Sequence, residues 1–132
     1  MINQQVAVCA LVDPDGRVLL TKRPKFKTMP NLWEFPGGKV EDGELPDQAI
    51  VRELSEELCI QTSSSCLAPV TFVIHHYQKL NIILFLFICR KWEGFIRPLE
   101  GQQISWVTKS DLRSYKMPEA NSYLIAILRN WI

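Results

Sequence analysis

The sequence predicts an α/β fold in which a mixed β-sheet lies between helices. Three observations carry this. Strand-like apolar runs lie on both sides of one strongly helical segment, Pro46–Leu58. Residues 82–89 are apolar at every position, as in a strand buried on both faces and central in its sheet. Near the C-terminus, Leu124, Ile127, Leu128 and Trp131 fall at i, i+3, i+4 and i+7, one face of a second amphipathic helix. Sheet and helices arranged in layers bury one face of each element.

Taken in order, residues 4–12 read as a strand, Asp13-Pro14-Asp15-Gly16 as a turn and residues 18–21 as the returning strand of a hairpin. The Asp-x-Asp-Gly also hints at a calcium loop. A twelve-residue loop begun at Asp13 needs a closing carboxylate where Pro24 stands, so the hairpin is preferred. Residues 24–30 form a basic loop, and residues 32–35 a short apolar run that stops at Pro36-Gly37-Gly38. Pro46 suits the first turn of the helix. Leu45 stands where a hydroxyl cap is expected, so that turn leans on Asp47 and the helix dipole. Residues 70–77 and Gln103–Val107 complete the strands. The adjacent His75 and His76 point to opposite faces of their strand, which suits an edge or surface role better than catalysis.

The 132 residues suit one domain, residues 1–132, with one core. With 15 basic and 14 acidic residues the net charge is +1, which supplies no field for a nucleic acid polymer or a membrane surface and favours a small-molecule partner. The first residues carry no basic, signal-like segment, and residues 82–89 are too few to span a bilayer. The four cysteines form no C-x-x-C pair and read as buried free thiols of a reducing cytoplasm, not as a disulfide framework or zinc site. Nothing in the pattern sets an oligomeric state.

The helix raises a chemical question. Glu53, Glu56 and Glu57 lie at i, i+3 and i+4, so they share one face near its C-terminal end. Like charges so spaced cost roughly 0.2–0.5 kcal/mol per pair. Anions in the last turn oppose the dipole at about 0.3–1 kcal/mol. Arg52 relieves part of this in the weaker orientation. Clustered carboxylates on a rigid element are a natural seat for a hard divalent cation such as magnesium. From charge and spacing, a metal seat and a solvated acidic stripe stand level.

Gly38, Glu44 and Arg52-Glu53-Leu54-Ser55-Glu56-Glu57-Leu58-Cys59-Ile60 resemble the Nudix box, G-x5-E-x7-R-E-U-x-E-E-x-G-U, with Cys59 in place of the second glycine. Trp33-Glu34-Phe35-Pro36-Gly37-Gly38-Lys39, Trp92-Glu93-Gly94, Glu100-Gly101-Gln102 and Pro118-Glu119-Ala120-Asn121 extend the resemblance to the MutT-type branch. The resemblance implies a Nudix α/β/α sandwich and an enzyme that hydrolyses nucleoside diphosphates linked to another group, with Mg2+ or, alternatively, Mn2+. It implies that Glu56 and Glu57 hold metal and that Glu53 ligates metal or takes a proton from the attacking water. The Gly37 carbonyl and Glu100 complete the metal ligands, and Arg52 and Glu44 brace the acids. Arg23 and Lys39 are placed to meet phosphate, and Phe35, Gly38 and Asn121 to contact substrate. Asn121 also reads as an N-cap of the last helix.

The implied function is hydrolysis of oxidised nucleoside triphosphates such as 8-oxo-dGTP to monophosphate and pyrophosphate, which limits mutation. The alternatives are a pyrophosphohydrolase for CTP or methylated dCTP and a non-catalytic nucleotide-binding regulator. The intact acid set opposes the regulator. Cys59 carries a further expectation. The family's glycine closes the helix in a left-handed conformation that a Cβ resists, so Cys59 is expected at positive φ or the helix end remodelled.

Overall fold

The computed structural model describes residues 2–26 and 28–132, with Ile2 described as backbone alone. In chain order the elements are β1 (Ile2–Leu11), β2 (Val18–Lys22), β3 (Trp33–Glu34), β4 (Gly37–Lys39), α1 (Pro46–Leu58), β5 (Leu67–Tyr77), β6 (Leu80–Cys89), β7 (Gln103–Val107) and α2 (Glu119–Leu128). Short 3-10 turns cover Ser64–Cys66 and Lys109–Ser114.

The expected mixed sheet is present, and it has a companion. A four-stranded sheet runs β4-β1-β6-β5, and a three-stranded one runs β3-β2-β7. In the larger sheet β1 and β6 are parallel, whereas β1–β4 and β5–β6 are antiparallel. Strand β6 is central, as its two-sided apolar composition predicts. The period-2 alternation of the strands builds both layers. Ala7, Cys9 and Leu11 pack with Ala49, Ile50, Leu54 and Leu58 of α1. Val8, Ala10 and Val12, together with Leu84, Leu86 and Ile88, pack with Ala120, Leu124, Ile125 and Leu128 of α2. One helix therefore covers each side, the α/β/α arrangement.

Three local expectations change. The Asp13–Gly16 turn closes, with the Gly16 amide donating to the Asp13 carbonyl at 2.9 Å. Its arms do not form a hairpin ladder: a single bridge, Val12 to Val18, precedes their divergence into different sheets. On α2 the buried face is Ala120, Asn121, Leu124, Ile125 and Leu128; Trp131 lies beyond the helix and is half exposed. Asn121 is no N-cap. Pro118 takes that position, and the Asn121 amide donates to its carbonyl.

At the start of α1, the Leu45 amide donates to Gln48 Oε1 at 2.8 Å. That is the reciprocal half of a capping box, and Asp47 lies in the first turn as expected. All four cysteines are free; Cys9 and Cys89 are buried, and Cys59 and Cys66 are half-buried. His75 and His76 lie on the edge strand β5, pointing opposite ways, but the His75 side chain is turned inward and only 11% exposed.

Candidate active site

The site forms where the chain crosses between the two sheets. Glu34 pairs with Thr21 in the smaller sheet, and three residues later Gly37 pairs with Val8 in the larger. The crossing requires glycine. Gly37 has φ 148°, and a Cβ there would lie 2.1 Å from the Ala7 carbonyl oxygen. A Cβ on Gly38 would lie 2.5 Å from Glu53 Oε1. The bare backbone thus lets the α1 carboxylates press against β4, and the Gly37 amide donates to Glu57 Oε2 at 3.3 Å. Glu57 lies on the packed face of α1 with Ala49, Ile50, Leu54 and Leu58, and is 7% exposed.

Arg52 organises the remaining acids. Its Nε and Nη2 donate to the two oxygens of Glu44 at 2.9 and 3.0 Å, a bidentate pair, and Nη2 also donates to the Lys39 carbonyl at 2.9 Å. Nη1 donates to Glu53 Oε1 at 2.9 Å and to Glu56 Oε2 at 3.3 Å. One guanidinium therefore joins the loop before α1 to two of the three acids on its face. This pairing drives the Glu44 carboxyl below its ordinary range.

Glu57 and Glu53 shift the opposite way. Burial, then the neighbouring charges of Glu53, Glu100 and Glu34, pushes Glu57 up to about 8 against the pull of the Gly37 amide. Burial also raises Glu53, helped by Glu56 and Glu100 and opposed by Arg52. These are the marks of carboxylates taken out of water and gathered beyond what one guanidinium balances.

The loop before β7 is strapped to the end of α1. The Leu99 amide and Gln102 Nε2 both donate to the Glu57 carbonyl, and the Glu100 amide donates to Gln102 Oε1. Glu100, Glu57, Glu34 and Arg23 line one small cavity, with Gln102 beside them. Sequence reasoning gave Gln102 and Glu34 no role. Gln102 had no signal beyond its place after Glu100-Gly101, because its partner is a backbone carbonyl. Glu34 grips Arg23 at 3.1 Å, which places that cation at the cavity wall and also engages it.

An adjoining cavity of about 480 Å³ opens beside the glycines. Arg23, Phe35, Gly37, Gly38, Lys39 and Asn121 all line it. Phe35 is a buried wall at 1% exposure. Asn121 Oδ1 is buried and, among the described residues, without a hydrogen-bond partner. The structure thus gathers the proposed acids at one end and the proposed substrate contacts around one adjoining chamber.

The donors suit a hard cation. Glu53, Glu56, Glu57 and Glu100 offer carboxylates and Gly37 a carbonyl, all oxygen, as Mg2+ or Mn2+ prefers. A dication would offset the burial and the gathered charge that together raise Glu57 and Glu53. Among the described residues no three acidic, His or Cys side chains converge into a closed cluster. Glu53 and Glu56 spend their present rotamers on Arg52.

The chain is similar to known proteins along nearly its whole length. The NUDIX domain family matches residues 7–126. The 8-oxo-dGTP diphosphatase of Escherichia coli K12 is 34% identical over 129 residues, 98% of each chain. The CTP pyrophosphohydrolase of the same organism is 32% identical over 121 residues, covering 89% of this chain and 86% of that one. Among solved structures, a chain from a study of MutT of Aliivibrio salmonicida and Vibrio cholerae superposes with a TM-score of 0.81 at 32% identity, over 98% of this chain and 99% of the other.

Proposed function

We propose that this chain, which belongs to the NUDIX domain family and is a Nudix hydrolase, cleaves oxidised nucleoside triphosphates such as 8-oxo-dGTP to monophosphate and pyrophosphate. Residues 1–132 act as one domain, and the work is nucleotide-pool sanitation in the cytoplasm. The observation that carries the base assignment is Asn121. Its side chain pairs an acceptor with a donor, its Oδ1 is buried without a partner among the described residues, and it lines the chamber beside the acids. Guanine presents two acceptors on its N7/O6 edge. Oxidation at C8 places a proton on N7, so that edge becomes donor plus acceptor and an Asn amide can match it. Likeness to the E. coli 8-oxo-dGTP diphosphatase supports the reading.

The residues divide the labour. Arg23 and Lys39 line the chamber where phosphate oxygens would lie. Phe35 and Gly38 shape it. Glu53 takes the proton as the water oxygen bonds to phosphorus and the bridging P–O bond breaks, the electron pair leaving with the departing phosphate. Arg52 and Glu44 hold Glu53 in place. Glu56, Glu57, Glu100 and the Gly37 carbonyl would hold Mg2+ or Mn2+. When bound, the cation neutralises phosphate charge and lowers the pKa of water.

A second reading has an observation of its own. A buried acceptor also suits the N4 amino group of cytosine, and the CTP pyrophosphohydrolase is among the relatives. A panel of triphosphates incubated with magnesium, with products separated by chromatography, decides. Preference for 8-oxo-dGTP with pyrophosphate release supports the first reading; preference for a cytosine nucleotide installs the second.

A further inference from the structure

The chamber has two walls drawn from distant parts of the chain. Tyr77, Leu80 and Ile82 form one, at the β5–β6 turn; Pro118, Ala120 and Asn121 form the other, at the start of α2. Strand β5 alternates, so Val73, His75 and Tyr77 share the half-buried face while Phe72, Ile74 and His76 are exposed on the other. Helix α2 packs against β5.

His75 occupies the seam between the walls. Its ring lies edge-on to Tyr77, with centroids 4.5 Å apart and planes at 70°. It lies 5.5 Å from the Tyr123 ring at 52°. His75 Nε2 is 3.6 Å from Glu119 Oε2, and the Tyr123 hydroxyl donates to Glu119 Oε1 at 2.7 Å. Glu119 and Tyr123 stand one helical turn apart on α2, and together they flank the imidazole where it meets the Tyr77 ring.

We propose that His75 is a positioning residue for the nucleobase, held by Glu119 and Tyr123 and fixing the Tyr77 wall at its distance from Asn121. The proposal rests on the chamber being the nucleotide site. It assigns His75 no contact with the reacting atoms, which lie with the α1 carboxylates. A flat base that meets Asn121 along its edge can lay its face on the Tyr77 ring, and aromatic contacts are sensitive to the geometry in which that ring is held. A merely structural packing contact predicts something else: lost thermal stability with unchanged nucleotide affinity.

The test uses the full chain and its His75→Ala, His75→Phe and Tyr123→Ala variants. Dissociation constants for a panel of nucleoside monophosphates are measured by calorimetry, together with kcat and KM for the preferred triphosphate and Tm. His75→Ala is expected to weaken binding of the preferred base and raise KM about five- to tenfold, with kcat within about twofold. His75→Phe, which keeps a ring against Tyr77, is expected to recover most of the affinity. Unchanged affinity in His75→Ala, or a His75→Phe no better than His75→Ala, overturns the proposal. Should His75→Ala fail to fold, Tyr123→Ala removes the half-exposed outer ring instead; about threefold weaker binding supports the proposal and unchanged binding overturns it. Which base the wild type prefers tests the function proposed above. The ratio of variant to wild type for that base, whatever it is, tests His75. A wild type that hydrolyses no nucleoside triphosphate overturns the function proposed above; one that hydrolyses them with a KM that His75→Ala leaves unchanged overturns the role of His75 alone.

Discussion

At Cys59 the backbone turns left-handed, with φ 62° and ψ 29°. The turn closes α1: the Cys59 amide donates to the Ser55 carbonyl at 3.2 Å and the Ile60 amide to the Leu54 carbonyl at 3.4 Å. Leu54 and Ile60 are both fully buried in the α1-side core, so the end is anchored and the strain falls on Cys59. A residue with a Cβ loses roughly 1–2 kcal/mol there, and glycine gives part of that back as unfolded-chain freedom. Cys59→Gly is therefore expected to stabilise the protein by about 1 kcal/mol in chemical denaturation; equal or lower stability would refute the strain. Asn121 is the other telling residue. Asn121→Ala is expected to lose most of the preference for 8-oxo-dGTP over dGTP while keeping metal-dependent hydrolysis, as read by the ratio of kcat/KM for the two nucleotides. An unchanged ratio returns Asn121 to a packing role. Cys59 was legible in the sequence because a Cβ at a helix end has one steric consequence. For Asn121 only the resemblance pointed to substrate; its residue type suggested a cap, and the helix starts earlier, after a proline that caps it without a side-chain acceptor.

Helix α1 was legible to its boundaries, since Pro46 marks its start and the apolar periodicity its packed face. What spacing could not settle was whether its acids face solvent or a site, and the structure divides them. Glu56 remains exposed and pairs with Arg52, whereas Glu57 is buried against the Gly37 amide. The division arises in β4, a three-residue strand with two glycines and too little side-chain pattern to read as a strand. Because burial and like charge push Glu57 up to about 8, a neutral amide mimics the state it holds near neutral pH. Glu53→Gln keeps an acceptor for Arg52. Both Glu57→Gln and Glu53→Gln are therefore expected to reduce turnover by orders of magnitude yet leave the metal-free protein as stable as wild type or slightly more so. Near-normal turnover, or a much lower metal-free Tm, in either variant would refute its assigned role.

Across the whole molecule, a mixed sheet between helices and the central place of β6 followed from the order and periodicity of the apolar segments, but the partition into two sheets did not. A turn signal such as Asp-Pro-Asp-Gly fixes local geometry, whereas pairing β2 with β7 and β1 with β6 depends on contacts between residues far apart in sequence. That partition brings the gathered carboxylates of α1, the β4 crossing and the loop at Glu100 together, and so it carries a cost that depends on pH. Folding raises Glu57 to about 8 from its ordinary value of 4.5 and raises Glu53 in the same direction. Between the two Glu57 values the folded chain binds more protons there than the unfolded one. The stability from Glu57 is therefore fully present below about pH 4.5 and is lost as pH rises through about 8, at no more than about 1.4 kcal/mol per pH unit, and Glu53 adds a loss of the same sign. Metal-free protein in chelator is expected to unfold at lower denaturant concentration at pH 8.5 than at pH 6. A bound dication reverses the sign, because it favours the ionised carboxylates and competes with protons for them. The gain in Tm on adding magnesium should accordingly grow from pH 6 to pH 8.5. Glu57→Gln should flatten the metal-free pH dependence and shrink the magnesium gain together. A wild type whose metal-free stability rises over this interval, or a magnesium gain indifferent to pH, would show that the acids are not the source of the strain.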